Sequence, residues 1–129
     1  MESARILVVE DEAIIAMDIQ NMLKKCGFNE CDVSYSGEES VIKALAKNPD
    51  LVLMDVKLKG NLDGVSAAEQ IQARLNIPVV YITGYGEETI LKKAKKTNSF
   101  NYINKPFEEK ELLTTIKKVL IKSERRAYN

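Results

Sequence analysis

The stretch LVLMDVKLKGNLDG, residues 51–64, decides the fold. Four apolar residues run straight into Asp55, and the chain then breaks into Lys, Gly, Asn and Asp. A short apolar run bounded by turn residues predicts a strand covered on both faces, the habit of parallel sheets. A carboxylate closing such a strand is costly unless it is paired or meets a metal. Asp55 therefore either caps the next element or belongs to a site.

The rest of the chain repeats the pattern. Strand-like runs occur at RILVV (5–9), CDVSY (31–35), LVLM (51–54), PVVYI (78–82) and NYIN (101–104). Helical stripes lie between them. Ile15, Ile19, Met22, Leu23 and Cys26 share one face at helical spacing; Val41 with Leu45, and Val65, Ala68, Ile71 and Leu75, mark the next two. A short Lys-rich fourth segment covers roughly 87–96, and Leu112, Leu113, Ile116, Val119 and Leu120 mark a fifth. Strands alternating with helices predict a single doubly wound (βα)5 domain, with a five-stranded parallel sheet and right-handed crossovers. Residues 1–129 are expected to be one domain, with its core at about 4–122 and a polar tail at 123–129.

Composition excludes several functions. The chain has 129 residues, 45% of them hydrophobic, enough to bury a sizeable core. Nineteen Lys plus Arg balance nineteen Asp plus Glu, so nothing suggests electrostatic binding to nucleic acid or to a membrane surface. No apolar run approaches the roughly 20 residues of a membrane span, and no signal peptide opens the sequence. Cys26 and Cys31, with no histidine anywhere, do not make a zinc site. They read as small buried apolar residues of a reducing cytoplasm. The absence of histidine also removes imidazole acid–base catalysis and phosphohistidine chemistry. What remains is carboxylates, hydroxyls, lysines and backbone.

In doubly wound sheets, ligands bind beyond the carboxyl ends of the strands. Strand one ends on Glu10 and Asp11, strand three on Asp55, strand four on Thr83 and strand five on Lys105. Each residue alone has a plain explanation: the acids 10–12 as first-turn acids of helix one, Asp55 as a turn cap, Lys105 as a solvated charge. All four strand ends together point elsewhere. Clustered carboxylates repel unless a hard cation sits among them, and Mg²⁺ takes oxygen ligands from one or two carboxylates plus phosphate. One carboxylate is then free to attack phosphorus, with a hydroxyl and a lysine to meet the phosphoryl oxygens.

The motifs ILVVEDE, LVLMD, PVVYITGYG and NYINKPFEEKEL resemble, in order and position, the response-regulator receiver domain of two-component signalling, over about residues 4–122. The resemblance implies a flavodoxin-like fold with strand order 2-1-3-4-5. It implies a domain that takes a phosphoryl group onto an aspartate from a partner histidine kinase or histidine phosphotransfer protein, and that is no enzyme beyond Mg²⁺-assisted self-phosphorylation and dephosphorylation. By the same resemblance Asp55 is the phosphoacceptor; Asp11, Glu10, Asp55 and the backbone carbonyl of Lys57 form the metal site; Thr83 and Lys105 are phosphoryl ligands; and Tyr102 is the switch aromatic. The implied output surface combines the fourth helical segment, the fifth strand and the fifth helical segment. There Lys92, Lys93, Lys95 and Lys96 lie in the fourth helical segment and Glu108, Glu109 and Glu111 open the fifth; the acids either complement their own helix N-terminus or meet the lysines of a second copy in a phosphorylation-dependent homodimer.

The loop after Asp55 departs from the family pattern. Many receivers carry Pro four residues on and Gly eight on, where this chain has Lys59 and Asp63; the Gly arrives one residue late, at Gly64. The stretch MDVKLKGNLDGVSAAEQI also resembles receivers attached to sensor kinases or RNA-binding antiterminators, but neither module is legible in the chain. Three other readings compete. A Mg²⁺-dependent phosphatase of the haloacid-dehalogenase type would carry a second Asp where Lys57 stands. A dinucleotide-binding domain would need glycines after strand one. A non-phosphorylated interaction module of the same fold would be expected to lose a site residue, and all five are present.

Overall fold

A computed structural model of the chain describes residues 3–87, 89–90, 92 and 101–128. Its strands are β1 (Arg5–Val9), β2 (Glu30–Ser34), β3 (Leu51–Asp55), β4 (Val79–Thr83) and β5 (Asn101–Asn104). All ladders are parallel, and the sheet runs in the order β2-β1-β3-β4-β5. The helices are α1 (Ala13–Lys25), α2 (Gly37–Lys47), α3 (Gly64–Gln72) and α4 (Glu109–Tyr128). Thus α4 is the fifth helical pattern of the sequence, and most of the fourth, roughly 87–96, lies outside the described residues.

Apolar runs without alternation are explained by cover on both faces. Along β1, Leu7 and Val9 pack toward Ala44 of α2 and toward Val65, Ala68 and Ile71 of α3. Ile6 and Val8 pack the other way, against Ile19 and Leu23 of α1 and Leu112 and Ile116 of α4. In β3, Val52 and Met54 join the first group, and Leu51 and Leu53 the second. All five residues of β3 and of β4 are buried. The same period-two alternation across two cores makes register costly to slip.

Local chemistry sets the helix ends. Ser36 accepts from the Glu39 amide at 3.0 Å to start α2, with Glu38 and Glu39 complementing the dipole of its first turn. Asp63 accepts from the Ser66 amide at 2.8 Å to start α3. Asn48 closes α2 in the left-handed conformation, φ 48°.

Several expectations are corrected. β2 lies one residue earlier than expected and β4 one residue later, because the ladder to β1 starts at Glu30 and the ladder to β5 reaches Thr83. The polar tail is helical, since α4 continues as far as Tyr128. Leu45 is not a core residue of α2; Gly37, Ser40 and Ala44 form the buried face, and Leu45 and Ile42 are exposed. Cys26 and Cys31 are half-buried free thiols rather than fully buried ones. Burial nonetheless pushes Cys31 up to about 11, so it stays a protonated, inert thiol at neutral pH. Among the described residues no helix is long and apolar enough to cross a membrane.

Candidate functional site

The parallel ladders bring the strand ends to one edge. β1 stops at Val9 and β3 at Asp55, and the register Val9↔Met54 and Asp55↔Ile82 places Glu10 and Thr83 beside the Asp55 position. Thr83 pairs with Asn104, and its carbonyl accepts from the Lys105 amide at 2.8 Å. Glu10, Asp11, Asp55, Thr83 and Lys105 therefore meet as the sequence predicts.

Glu10, Asp55 and Thr83 are buried, at 2%, 4% and 3% exposure. Lys105 bridges the two acids, its Nζ 3.3 Å from Glu10 Oε1 and 3.4 Å from Asp55 Oδ2. Burial, and then the facing Asp55 charge, push Glu10 up to about 7. Asp55 is also raised by burial, against the pull of Lys105, Glu10 and the Lys57 amide. For Lys105, burial works against the ammonium, but the Asp55 and Glu10 carboxylates outweigh it and hold its pKa above the ordinary 10.5. The lysine is thus a firm cation, and the two acids are short of counter-charge.

The first-turn explanation of acids 10–12 does not hold. Glu12 occupies the N-cap position of α1 but its side chain makes no cap bond. Its amide instead donates to Glu10 Oε2 at 3.1 Å, which orients Glu10 into the site. Asp11 Oδ2 accepts from the Lys59 amide at 2.9 Å, and Asp55 Oδ1 from the Lys57 amide at 3.2 Å. Two donors from the β3–α3 loop thereby fix two of the acids.

Glu10, Asp11 and Asp55 each offer an oxygen, and these lie within 4.8 Å of one another. Three carboxylates from two adjacent strand ends, with burial raising two of them, could hold a metal ion, and their hard oxygen donors fit Mg²⁺.

The longer loop has a physical reason. A Cβ at Gly64 would fall 2.0 Å from the Asp55 carbonyl oxygen, so only glycine lets α3 start against β3, and the Gly64 amide donates to the Val56 carbonyl at 3.1 Å. The late glycine is the position the packing needs. Sequence reasoning missed the Lys59 amide and also Glu87, whose Oε1 accepts from the Gly84 amide at 2.9 Å. Neither has a sequence signal, because the first uses backbone and the second falls in a stretch that reads as helix.

Tyr102 is 45% exposed on β5. Of the expected acidic patch, Glu108 and Glu111 are exposed. Glu109 is turned toward α1, with Cys26 Sγ at 3.7 Å from its Oε1. Lys92 is exposed, whereas Lys93, Lys95 and Lys96 lie outside the described residues.

Comparison with known proteins agrees with this geometry. The response regulator receiver domain model matches residues 6–117. The transcriptional regulatory protein PdtaR of Mycobacterium tuberculosis is 35% identical over 87% of this chain and 54% of its own length. The chemotaxis protein CheY of Treponema pallidum is 36% identical over 90% of this chain and 82% of its own. The signal receiver domain of a modulated diguanylate cyclase from Desulfovibrio desulfuricans superposes with a TM-score of 0.88 at 32% identity, covering 95% of this chain and 98% of that one. The chain spans about half the length of several curated relatives, PdtaR among them. With the 2-1-3-4-5 sheet and the acid–lysine cluster at its carboxyl edge, these matches show that the chain belongs to the response-regulator receiver domain family.

Proposed function

We propose that Asp55 is the phosphoacceptor of this receiver and that residues 1–129 act as one phosphoacceptor unit in the cytoplasm. The observation that carries the reading is the Lys105 ammonium shared between Asp55 and Glu10 in a buried pocket. An Asp55 carboxylate oxygen attacks the phosphorus of a phosphohistidine on a kinase or phosphotransfer protein. The P–N bond breaks, and the imidazole leaves with its electron pair and takes a proton from solvent. Lys105 and the Thr83 hydroxyl meet the phosphoryl oxygens, and Glu10 gives up its hold on the lysine. Glu10, Asp11, Asp55 and the Lys57 carbonyl would hold Mg²⁺, which when bound neutralises charge on the transferring group.

A phosphoryl group adds roughly −1.5 to −2 charges at Asp55. Thr83 is drawn toward it, and Tyr102 turns inward into the space behind Thr83. The altered surface, from the fourth helical segment through β5 to α4, then pairs with a second copy, Glu108 and Glu111 meeting lysines across a two-fold axis. Support for this comes from the exposure of Tyr102, Glu108, Glu111 and Lys92.

The decisive experiment is intact mass after incubation with Mg²⁺ and acetyl phosphate. One added phosphoryl group, absent in Asp55→Asn, is expected; no addition to the parent refutes the reading. Sedimentation with and without beryllofluoride, for the parent and Tyr102→Ala, tests the dimer, which should weaken with salt.

A further inference from the structure

The Gly84 amide should have a strand partner and has none. The β3–β4 ladder closes with the Val56 amide on the Ile82 carbonyl at 3.0 Å. The next acceptor along, the Val56 carbonyl, is taken by the Gly64 amide at 3.1 Å. Gly84 therefore leaves the sheet with its N–H unused by the ladder, one residue past Thr83 and at the same edge as Asp55. Its partner is instead a carboxylate from its own loop: Glu87 folds back and accepts at 2.9 Å, while the Glu87 amide donates to the Gly84 carbonyl at 3.3 Å.

The backbone bond closes a four-residue turn, and Gly86 has φ 87°, which keeps that turn out of helical geometry. The carboxylate is also fitted closely to residue 84. A Cβ there would come to 3.2 Å from Glu87 Oε2, so the side chain lies over the glycine in space that any other residue would contest. An anion thus sits on a strand-edge amide beside an aspartate that is to gain an anionic group.

We propose that Glu87 is an internal competitor for the phosphoryl group, holding the Gly84 amide until phosphorylation of Asp55 displaces it. The inference rests on the phosphoacceptor reading above. A phosphoryl group on Asp55 has three acceptor oxygens, and Lys105 and Thr83 satisfy two. Each of these oxygens accepts more than one bond, and one residue past Thr83 the Gly84 amide is the backbone donor that the ladder leaves at the β4 end. Two anions cannot share one N–H, so phosphorylation and the Glu87 contact exclude each other. The expelled carboxylate frees the turn 84–87, which leads directly into the fourth helical segment. Glu87 therefore both opposes phosphorylation and couples it to the chain beyond β4.

The test uses beryllofluoride with Mg²⁺, titrated into the parent, Glu87→Ala, Glu87→Gln and Asp55→Asn and followed by amide ¹H–¹⁵N shifts. Removal of a partly exposed charge-assisted contact should tighten beryllofluoride binding about fivefold in Glu87→Ala. Glu87→Gln, which keeps an acceptor but loses the charge, should fall between it and the parent. Without beryllofluoride, the Gly84 amide resonance of Glu87→Ala should already have moved from its parent position; with beryllofluoride, all three should converge on one Gly84 position. Equal affinity in the parent and Glu87→Ala overturns the competitor role, as does a Gly84 resonance in the parent that beryllofluoride leaves unmoved. A parent that binds no beryllofluoride refutes the phosphoacceptor reading itself, and this inference with it.

Discussion

The carboxylate of Asp11 is held at 2.9 Å by the amide of Lys59, a residue 48 positions away in the chain. Proline has no amide hydrogen, so the bond exists because residue 59 is not the proline that many receivers carry there. Hydrogen bonds that orient a ligand commonly tune affinity for its metal. Lys59→Pro should therefore weaken Mg²⁺ binding by about tenfold. Lys59→Ala, which keeps the amide, should leave it near the parent value. Titration of Mg²⁺ by amide shifts compares the two; equal losses would show that the lysine side chain, not its amide, matters.

Metal-free stability should fall as pH rises. Glu10 titrates at about 7 in the folded chain against an ordinary 4.5, so the folded state holds a proton that the unfolded state releases between those values. The contribution is fully present below about pH 4.5 and is lost as pH rises through 7. The loss is on the order of 3 kcal/mol at most. Urea denaturation in EDTA at pH 5 and pH 8 should show it, and Glu10→Gln should flatten the dependence and be the more stable protein at pH 8.

Millimolar Mg²⁺ should offset part of that loss. At about ten times the dissociation constant a ligand specific to the folded state stabilises by roughly 1.4 kcal/mol, or about 3–5 °C for a chain of this size. Asp11→Asn should lose most of the increment. A melting temperature indifferent to Mg²⁺ in the parent would contradict the metal site.

Lys105→Met should cost stability unevenly across pH. Without the ammonium, Glu10 and Asp55 face one another buried and uncompensated, a penalty of roughly 1–2 kcal/mol once the partial exposure of Lys105 is allowed for. At pH 5 protonation of the pair relieves most of it. A cost independent of pH would mean that the lysine acts by packing alone.

Gly64→Ala should be among the most damaging substitutions outside the acid cluster, at roughly 3 kcal/mol, because the added carbon meets backbone rather than a yielding side chain. Gly86→Ala meets no atom within 4 Å and should cost about 1 kcal/mol, through its positive φ alone.

How much of this was legible in the sequence follows from which atoms carry each feature. Strand ends and the acids, hydroxyl and lysine on them are side-chain facts, and the apolar runs place them within one residue. Strand order is not encoded in any run of residues; it came from resemblance to the receiver family. The hold of Lys59 on Asp11 uses a main-chain donor that every residue but proline supplies, so no residue type announces it. Glu87 falls at the edge of the Lys-rich helical pattern, and nothing in the sequence separates it from that segment. Leu45 shows the opposite error. It satisfies the helical period, but Ser40 and Ala44 are small enough to bring α2 close to the sheet, and that closeness turns Leu45 outward.

The contact between Gly64 and the main chain of Asp55 has a mechanical consequence. The first residue of α3 rests against the carbonyl of Asp55, the proposed phosphoacceptor, with no side chain between them as padding. Behind its reactive carboxylate, Asp55 is seated on an anvil. On the proposed phosphorylation, β3 has no room behind Asp55 to recoil, so the response is expected at the Thr83 hydroxyl, the Lys105 ammonium and the loops ahead of them.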